Sequence, residues 1–313
     1  MTAAGGPAPD GALLVVGDVV TDVVARHRGP LAPATDTAAS IRTLPGGAGA
    51  NAACWAARSG RRDVRLLARV GAESAAWHGR ELAGAGVRPL LVPDPEAPTA
   101  TVIALVDPAA ERTFLTDSGA ALRLCPDDWS AGLLDGVASL HLSGYLFFAP
   151  SSRAAARLAL RDARAAGIPV SVDPASAGFL AELGPERFLA AVAGASVLLP
   201  NADEARLLTG APDAEAAARD LSLRVPLAVV TLGAGGALVA ERGTVTARVT
   251  APVVPPERRL DSTGAGDAFT GAFLAARLAG ADPAEAARAG CAAGSEAVTT
   301  VGGRPPSGRP SSV

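Results

Sequence analysis

The run DSTGAGDAF at positions 261–269 holds the residues of this chain best suited to chemistry. A glycine-rich turn there leads straight into an apolar segment with helical spacing. Its backbone N–H groups therefore gather at the positive end of a helix dipole and form a ready site for an anion. Asp267 falls in the first turn of that helix. A carboxylate in such a place is often only a favourable partner for the dipole. Beside an anion cradle it has a second use. With a phosphoryl group in the cradle, Asp267 can orient and deprotonate an attacking hydroxyl, a contribution of ~10²–10⁴-fold for a positioned base. The cradle would stabilise the charged oxygens during transfer.

Absences narrow the chemistry further. The chain has no lysine. That excludes the Walker A loop, the protein-kinase ATP lysine, Schiff bases and pyridoxal chemistry. Glutamine is also missing, and only two asparagines occur, Asn51 and Asn201. In a chain dominated by Ala, Gly, Pro and Arg, those two positions are marked as working residues. The 28 basic and 31 acidic side chains leave a net charge of −3, and 49% of the 313 residues are hydrophobic. This suits one large folded domain. Without a basic block, neither nucleic acid nor an anionic membrane has its usual footprint. No apolar run reaches membrane-spanning length, and the amino terminus lacks the basic and apolar regions of a leader. Cys54, Cys125 and Cys291 form no CxxC pair, so a reduced, cytoplasmic setting without zinc is expected.

The elements that must position these residues follow from the hydrophobic pattern. Apolar strand-like runs at 13–17, 64–70, 87–92, 137–142, 170–172, 197–199 and 227–232 alternate with alanine-rich helical stretches at 48–59, 151–166, 204–208, 214–223, 264–278 and 283–299. A hairpin is expected at 237–249. Strands separated by helices give an α/β fold, a mostly parallel central sheet with helices on both faces. The segments 23–44 and 99–117 break the rhythm and read as a small β-sheet lid, with a hairpin turn at Asp107–Pro108. The tails 1–11 and 303–313 are rich in Gly, Pro and Ser and read as loose. Ligands of open parallel sheets bind beyond the carboxyl ends of the strands. Here those ends carry Asp18, Ser143, Asp173, Asn201 and Gly233. Asp18 could meet a substrate or cap a turn, and Asp173 could serve the cleft or simply end its strand.

The run at 261–269 resembles the carboxyl-terminal signature of the ribokinase-like (pfkB-type) carbohydrate kinases. The run PGGAGAN at 45–51 is similar to that family's amino-terminal Gly-Gly–Asn motif. The likeness extends over about 12–307 as one kinase domain with the lid segments inserted. It implies ATP-dependent phosphorylation of a primary hydroxyl of a small sugar or nucleoside. On the family's pattern Asp267 is the catalytic base, and Gly264, Ala265 and Gly266 form the anion hole. Asp22, with Gly46, Gly47 and Asn51, lines the acceptor site, and Asp18 is placed on the same side. Asn201 and Glu204 match an Asn-x-x-Glu motif that organises Mg²⁺ and the phosphates, and Thr231 and Gly233 fall near the ATP phosphates. Asp261, Thr263, Ala297, Thr300 and Gly302 match a monovalent-cation site that takes K⁺. Family members often dimerise by stacking their lid sheets. The likeness departs at Ala48, where many ribokinases carry lysine, at Val20, and at Ser143, where an acidic residue is expected. These departures keep the family while turning attention from ribose to other furanoses and to nucleosides such as adenosine or pseudouridine.

Two other readings have distinct marks. A non-catalytic sugar or nucleotide sensor would lack the base or the anion-hole glycines, and both are present. A dinucleotide site is hinted at by Gly47, Gly49 and Ala52 in a G-x-G-x-x-A pattern. It lacks a strong preceding strand, and the strand at 64–70 ends in Gly71 rather than an acid.

Overall fold

The computed structural model describes residues 11–107 and 112–306. Most of both expected tails, and Pro108 of the lid hairpin turn, lie outside the described residues. In chain order the strands are β1 (Ala12–Val16), β2 (Val20–His27), β3 (Ala39–Gly46), β4 (Val64–Gly71), β5 (Arg88–Asp94), β6 (Ala100–Val106), β7 (Arg112–Asp117), β8 (Val137–Ser143), β9 (Val170–Asp173), β10 (Val197–Leu198), β11 (Leu227–Thr231), β12 (Ala237–Glu241) and β13 (Thr244–Val249). The α-helices are α1 (Ala48–Arg58), α2 (Ala75–Gly84), α3 (Pro150–Ala165), α4 (Ala177–Leu183), α5 (Pro185–Ala191), α6 (Ala202–Thr209), α7 (Ala214–Arg224), α8 (Ala265–Leu278) and α9 (Pro283–Ala297).

Every residue of β1 is buried, the signature of a strand covered on both faces. Its side chains alternate between two cores. Leu14 and Val16 pack with residues of α3, α5, α6 and α7. Leu13 and Val15 pack with residues of α1, α8 and α9. The main sheet has nine strands in the order β13-β12-β11-β10-β9-β8-β1-β4-β5. The pairs from β11 to β5 are parallel, and β12 and β13 add an antiparallel edge. The expected architecture is therefore present. Strand order turns back at β1, with β4 on one side and β8 on the other. A crevice opens beyond the carboxyl ends at such a reversal, and it brings the turn at Asp18 beside the end of β8.

The second sheet has the order β3-β2-β6-β7. Its first hairpin begins at Val20 and runs to Gly46, a little beyond the expected 23–44 segment, because Val20 pairs with Gly46 at its root. The pairing places Asp22 and Gly46 on one face of the lid. It puts Val23, Ala25, Ile41, Ile103 and Leu115 on the other. Helices α4 and α5 were not anticipated. Each is seven residues long, and they are separated by Gly184 at φ 92, too short for an apolar period to emerge.

Helices α1 and α8 approach with almost no side chain between them. A Cβ on Gly271 of α8 would come within 2.3 Å of the Ala52 carbonyl oxygen and 2.8 Å of the Ala56 nitrogen. In an exposed helix, Gly→Ala gains ~1 kcal/mol. Here the neighbours are backbone and cannot step aside, so overpacking of ~1–3 kcal/mol or more outweighs that gain. Gly271→Ala is expected to lower Tm by several degrees in calorimetry, whereas an unchanged or higher Tm would show that α8 shifts freely.

Candidate functional site

The amino end of α8 is built so that other chain segments can reach it. Gly264 caps it in the left-handed region at φ 74. A side chain there would be strained, and its Cβ would sit 2.4 Å from the Gly303 Cα. Within the described residues the N–H groups of Gly264 and Gly266 have no hydrogen bond, and that of Ala265 makes a long one of 3.3 Å to the Ser262 carbonyl. These donors remain available to an anion, with the helix dipole behind them. The helix end has two different sides. On one side lies a cavity of about 900 Å³ lined by Thr231, Gly233, Asp261, Ala265, Gly266 and Phe269 among others. On the other side Asp267 turns toward α1.

Asn51 of α1 donates from Nδ2 to Asp267 Oδ2 at 2.8 Å. Asn51 is buried, and its Oδ1 has no partner. Burial pushes the Asp267 carboxyl well above the usual range. The Asn51 bond opposes this, and the charges of Asp173, Asp18 and Asp22 reinforce it. Asp22 sits on the lid root with its carboxylate over Gly46, where any Cβ would lie 2.2 Å from Oδ2. Burial, with Asp18 adding, pushes Asp22 up to about 6, against the pull of Arg304. Asp173 accepts from Thr270 Oγ1 of α8 at 3.1 Å and from the Ala175 N–H at 2.9 Å. Burial raises it too.

Asp18 has a defined structural engagement. Its Oδ2 accepts from the Ala48 N–H at 2.7 Å. Its Oδ1 accepts from the Gly49 N–H at 3.1 Å and from Ser143 Oγ at 2.8 Å. It thus caps α1, not the turn after its own strand. Two of the departure positions, Ala48 and Ser143, are the donors that hold it. Gly47, at φ 99, lets the chain enter α1 past Asp18, since a Cβ would lie 2.6 Å from the Asp18 carbonyl oxygen.

Asn201 and Glu204 form a reciprocal cap on α6. Asn201 Oδ1 accepts from the N–H groups of Asp203 and Glu204, and Glu204 Oε2 accepts from the Asn201 N–H at 2.9 Å. Glu204 is buried, and that burial, together with Asp173, raises its carboxyl. Asn201 pairs with Thr231 as a bridge between strand ends, so this motif borders the large cavity without lining it. Around Asp261, Oδ1 accepts from the Thr263 N–H at 2.7 Å and Oδ2 from the Gly302 N–H at 3.1 Å. The Ala297 carbonyl accepts both the N–H and Oγ1 of Thr300 at 3.0 Å. Asp261, Thr263 and Gly302 are thus brought together, and Ala297 and Thr300 form the adjoining turn. Among the described residues, no group of three or more His, Cys, Asp and Glu side chains could hold a metal. Among the same described residues, no helix is long and apolar enough to cross a membrane.

Three site residues had escaped the sequence reading. Tyr145, just past β8, lies near enough to Asp18, Asp267, Asp173 and Glu204 that their charges, after burial itself, raise its phenol. Thr270 holds Asp173. Arg304 reaches the Gly46 carbonyl at 3.4 Å and leaves Nε and Nη1 buried without partners. No short motif marks any of them. Arg304 also corrects the expectation of a loose tail from residue 303. Gly303 is buried and accepts from Trp55 Nε1 at 2.9 Å. The strap from Gly302 to Arg304 is part of the site wall.

Comparison with known proteins supplies an independent view. A family model described as pfkB family carbohydrate kinase matches residues 11–309. A ribokinase from Arabidopsis thaliana is 28% identical over 94% of this chain and 77% of its own length. The adenosine kinase structure from Sinorhizobium meliloti superposes with a TM-score of 0.84 at 24% identity, covering 95% of this chain and 96% of that one. An E. coli structure in complex with ATP and Mg²⁺ superposes at 0.81 with 22% identity, covering 94% of each chain.

The carboxylate cluster carries a cost that can be measured. A carboxyl whose folded pKa is raised makes the fold lose stability as pH climbs from the unfolded value to the folded one, and the loss persists above it. Asp267→Asn removes that loss and can keep the bond from Asn51. The variant is expected to melt above the wild type at pH 8, with the gap closing as pH falls toward 4. A gap that is absent or widens toward acid would show that Asp267 is not forced to ionise.

Proposed function

We propose that this chain, which belongs to the pfkB family of carbohydrate kinases and is a sugar or nucleoside kinase, transfers the γ-phosphoryl of ATP across the amino end of α8 to a primary hydroxyl of its acceptor. The observation that carries this reading is the position of Asp267. It is anchored by Asn51 and stands beside free backbone donors, between a nucleotide-sized cavity and a cluster of acids.

In this reading the acceptor hydroxyl gives its proton to Asp267 as its oxygen bonds the γ-phosphorus. The bond from that phosphorus to the β–γ bridging oxygen breaks, and ADP leaves with the electron pair. The N–H groups of Gly264, Ala265 and Gly266 hold the equatorial oxygens. Asn51 occupies one carboxylate oxygen of Asp267, leaving the other for the hydroxyl. The raised proton affinity of Asp267 makes it a better base than an ordinary aspartate, provided the pH keeps it ionised. Asp22 and the backbone at Gly46 and Gly47 hold further acceptor hydroxyls. Thr231 and Gly233 lie along the nucleotide. Asn201 and Glu204 suit Mg²⁺ that arrives with the phosphates, since a hard cation held by substrate oxygens and water needs few protein ligands. When bound, Mg²⁺ neutralises phosphate charge. Asp261 with Thr263, Ala297, Thr300 and Gly302 offers the oxygen donors a K⁺ ion takes. Closure of the lid excludes water from the transfer. The outer lid face exposes Ile41 at 64% and Leu115 at 54%, a surface fit to pair with the lid of a second copy.

ATP consumption measured with a panel of pentoses, hexoses and nucleosides tests the reading. Asp267→Asn is expected to lower kcat by ~10²–10⁴-fold or more with a small change in KM. Retained turnover would remove the base, and acceptor binding without any turnover in the wild type would return the sensor reading. In wild type, kcat/KM is expected to fall with acid at a higher pH than an ordinary aspartate would give, with Asp22 adding a loss through about 6. Replacing K⁺ by Na⁺ should lower turnover, and an equal rate in both would remove the cation site. Ile41→Asp with Leu115→Asp should yield monomers on sizing if the lids pair.

A further inference from the structure

Aromatic side chains are scarce here, with one tyrosine and seven phenylalanines in 313 residues. A half-buried group of them at the edge of the core is therefore informative. Tyr145 and Phe148 lie on the turn after β8, and Phe179 lies on α4, just beyond β9. Phe148 and Phe179 stack at 5.1 Å with 22° between their planes, and Tyr145 meets them edge-on at 6.0 and 5.9 Å. All three are half-buried. Phe147, between them in sequence, behaves as a core ring instead. It is fully buried and packs on Phe188 at 5.5 Å. The half-buried rings stand at the carboxyl ends of the two strands that also supply Ser143 and Asp173, whose ends are brought together where Gly144 packs against the Asp173 and Pro174 backbone.

The lid supplies a second apolar surface from a separate part of the chain. By strand register, the face that carries Asp22 also carries Val24, Leu44, Val102, Ala104 and Phe114 near the lid root and middle, with Thr116, Arg42, Arg26 and Ser40 as polar residues, the last two toward the tip. Leu44 turns toward Gly302 of the strap, which a Cβ there would meet at 3.3 Å. This face is therefore the one directed at the site. A free sugar presents hydroxyls over most of its surface and gives rings and an apolar lid little to match. A nucleoside presents ribose hydroxyls to acids and a flat, weakly polar base to everything else.

We propose that the acceptor is a nucleoside, its ribose held by Asp22 and Asn51 and its base lying against the wall of Tyr145, Phe148 and Phe179 beneath the lid. The proposal rests on the kinase reading above and narrows it. Tyr145, Phe148 and Phe179 are specificity residues, since stacking on rings accepts a base of any identity while a free sugar gains little from it.

The test is kcat/KM of the full-length protein, with MgATP and K⁺, for adenosine, guanosine, cytidine, uridine, ribose and fructose. A nucleoside is expected to exceed ribose by ~10-fold or more, and Phe179→Ala to raise its KM by roughly 5- to 150-fold, the worth of one stacked base. Phe179→Tyr should restore most of the loss, and KM for ribose should not move. If Phe179→Ala does not fold, thermal shift of the wild type decides the matter. A nucleoside must raise Tm more than ribose at equal concentration. Preference for ribose or fructose over every nucleoside, or loss of ribose and nucleoside activity in equal measure, overturns the nucleoside assignment and leaves the kinase intact. Turnover of none of the six, with no thermal shift, overturns both.

Discussion

One hydrogen bond, from Asn51 Nδ2 to Asp267 Oδ2 at 2.8 Å, joins side chains 216 residues apart, and most of the site's architecture serves it. The bond requires α1 and α8 to lie closer than side chains usually permit, hence Gly271 against the Ala52 carbonyl. It also requires α1 to begin at a fixed point, hence Asp18 on the N–H groups of Ala48 and Gly49. Asp18 is itself anchored by Ser143 at the end of β8. The strand-order reversal at β1 brings those two turns together. Sheet topology, helix capping and a glycine contact thus converge on the orientation of one carboxylate.

That carboxylate stands in unfavourable company. Asp18, Asp22, Asp173, Asp267 and Glu204 lie within electrostatic reach of one another, and burial is the largest influence raising each of Asp22, Asp173, Asp267 and Glu204. Like charges at short range and poor solvation both oppose ionisation. Such an arrangement persists only where the surrounding structure over-determines it, and strain of this kind is typical of a catalytic site. The Arg304 guanidinium, with Nε and Nη1 unpartnered, is a nearby positive charge that eases Asp22. At the α8 amino end the positive pole is made of backbone N–H groups and the helix dipole, in a chain that has no lysine.

The body of the fold was legible because its strands are continuous apolar runs and its long helices are periodic. Residues 12–16 and 265–278 could be read within a residue or two. Helices α4 and α5 were not, since seven residues on either side of Gly184 carry no period. Local chemistry marked Asp267 at a helix start and the glycines before it, and the structure places both at the amino end of α8; the remaining motif positions were marked by resemblance rather than by their own chemistry. The capping of α1 by Asp18 was not legible, because its partners at Ala48, Gly49 and Ser143 meet only through topology. Tyr145, Thr270 and Arg304 are single residues whose importance arises from what the fold places beside them. Gly303 and Arg304 looked like the start of a tail because Gly and Pro surround them, yet Trp55 and the α8 cap fix them in place.

The strap from Gly302 to Arg304 has a consequence for the order in which the protein becomes competent. Its glycine fills the gap between the Gly264 cap and the Asn51 side chain. Its backbone N–H holds Asp261. Every other part of the site is synthesised earlier, yet none of it is sealed until these residues leave the ribosome and settle. A nascent chain that has not yet placed this strap leaves Asn51 and the Gly264 turn without their neighbour. The wall on this side of α8 is therefore completed by a segment that follows, in chain order, every element it packs against.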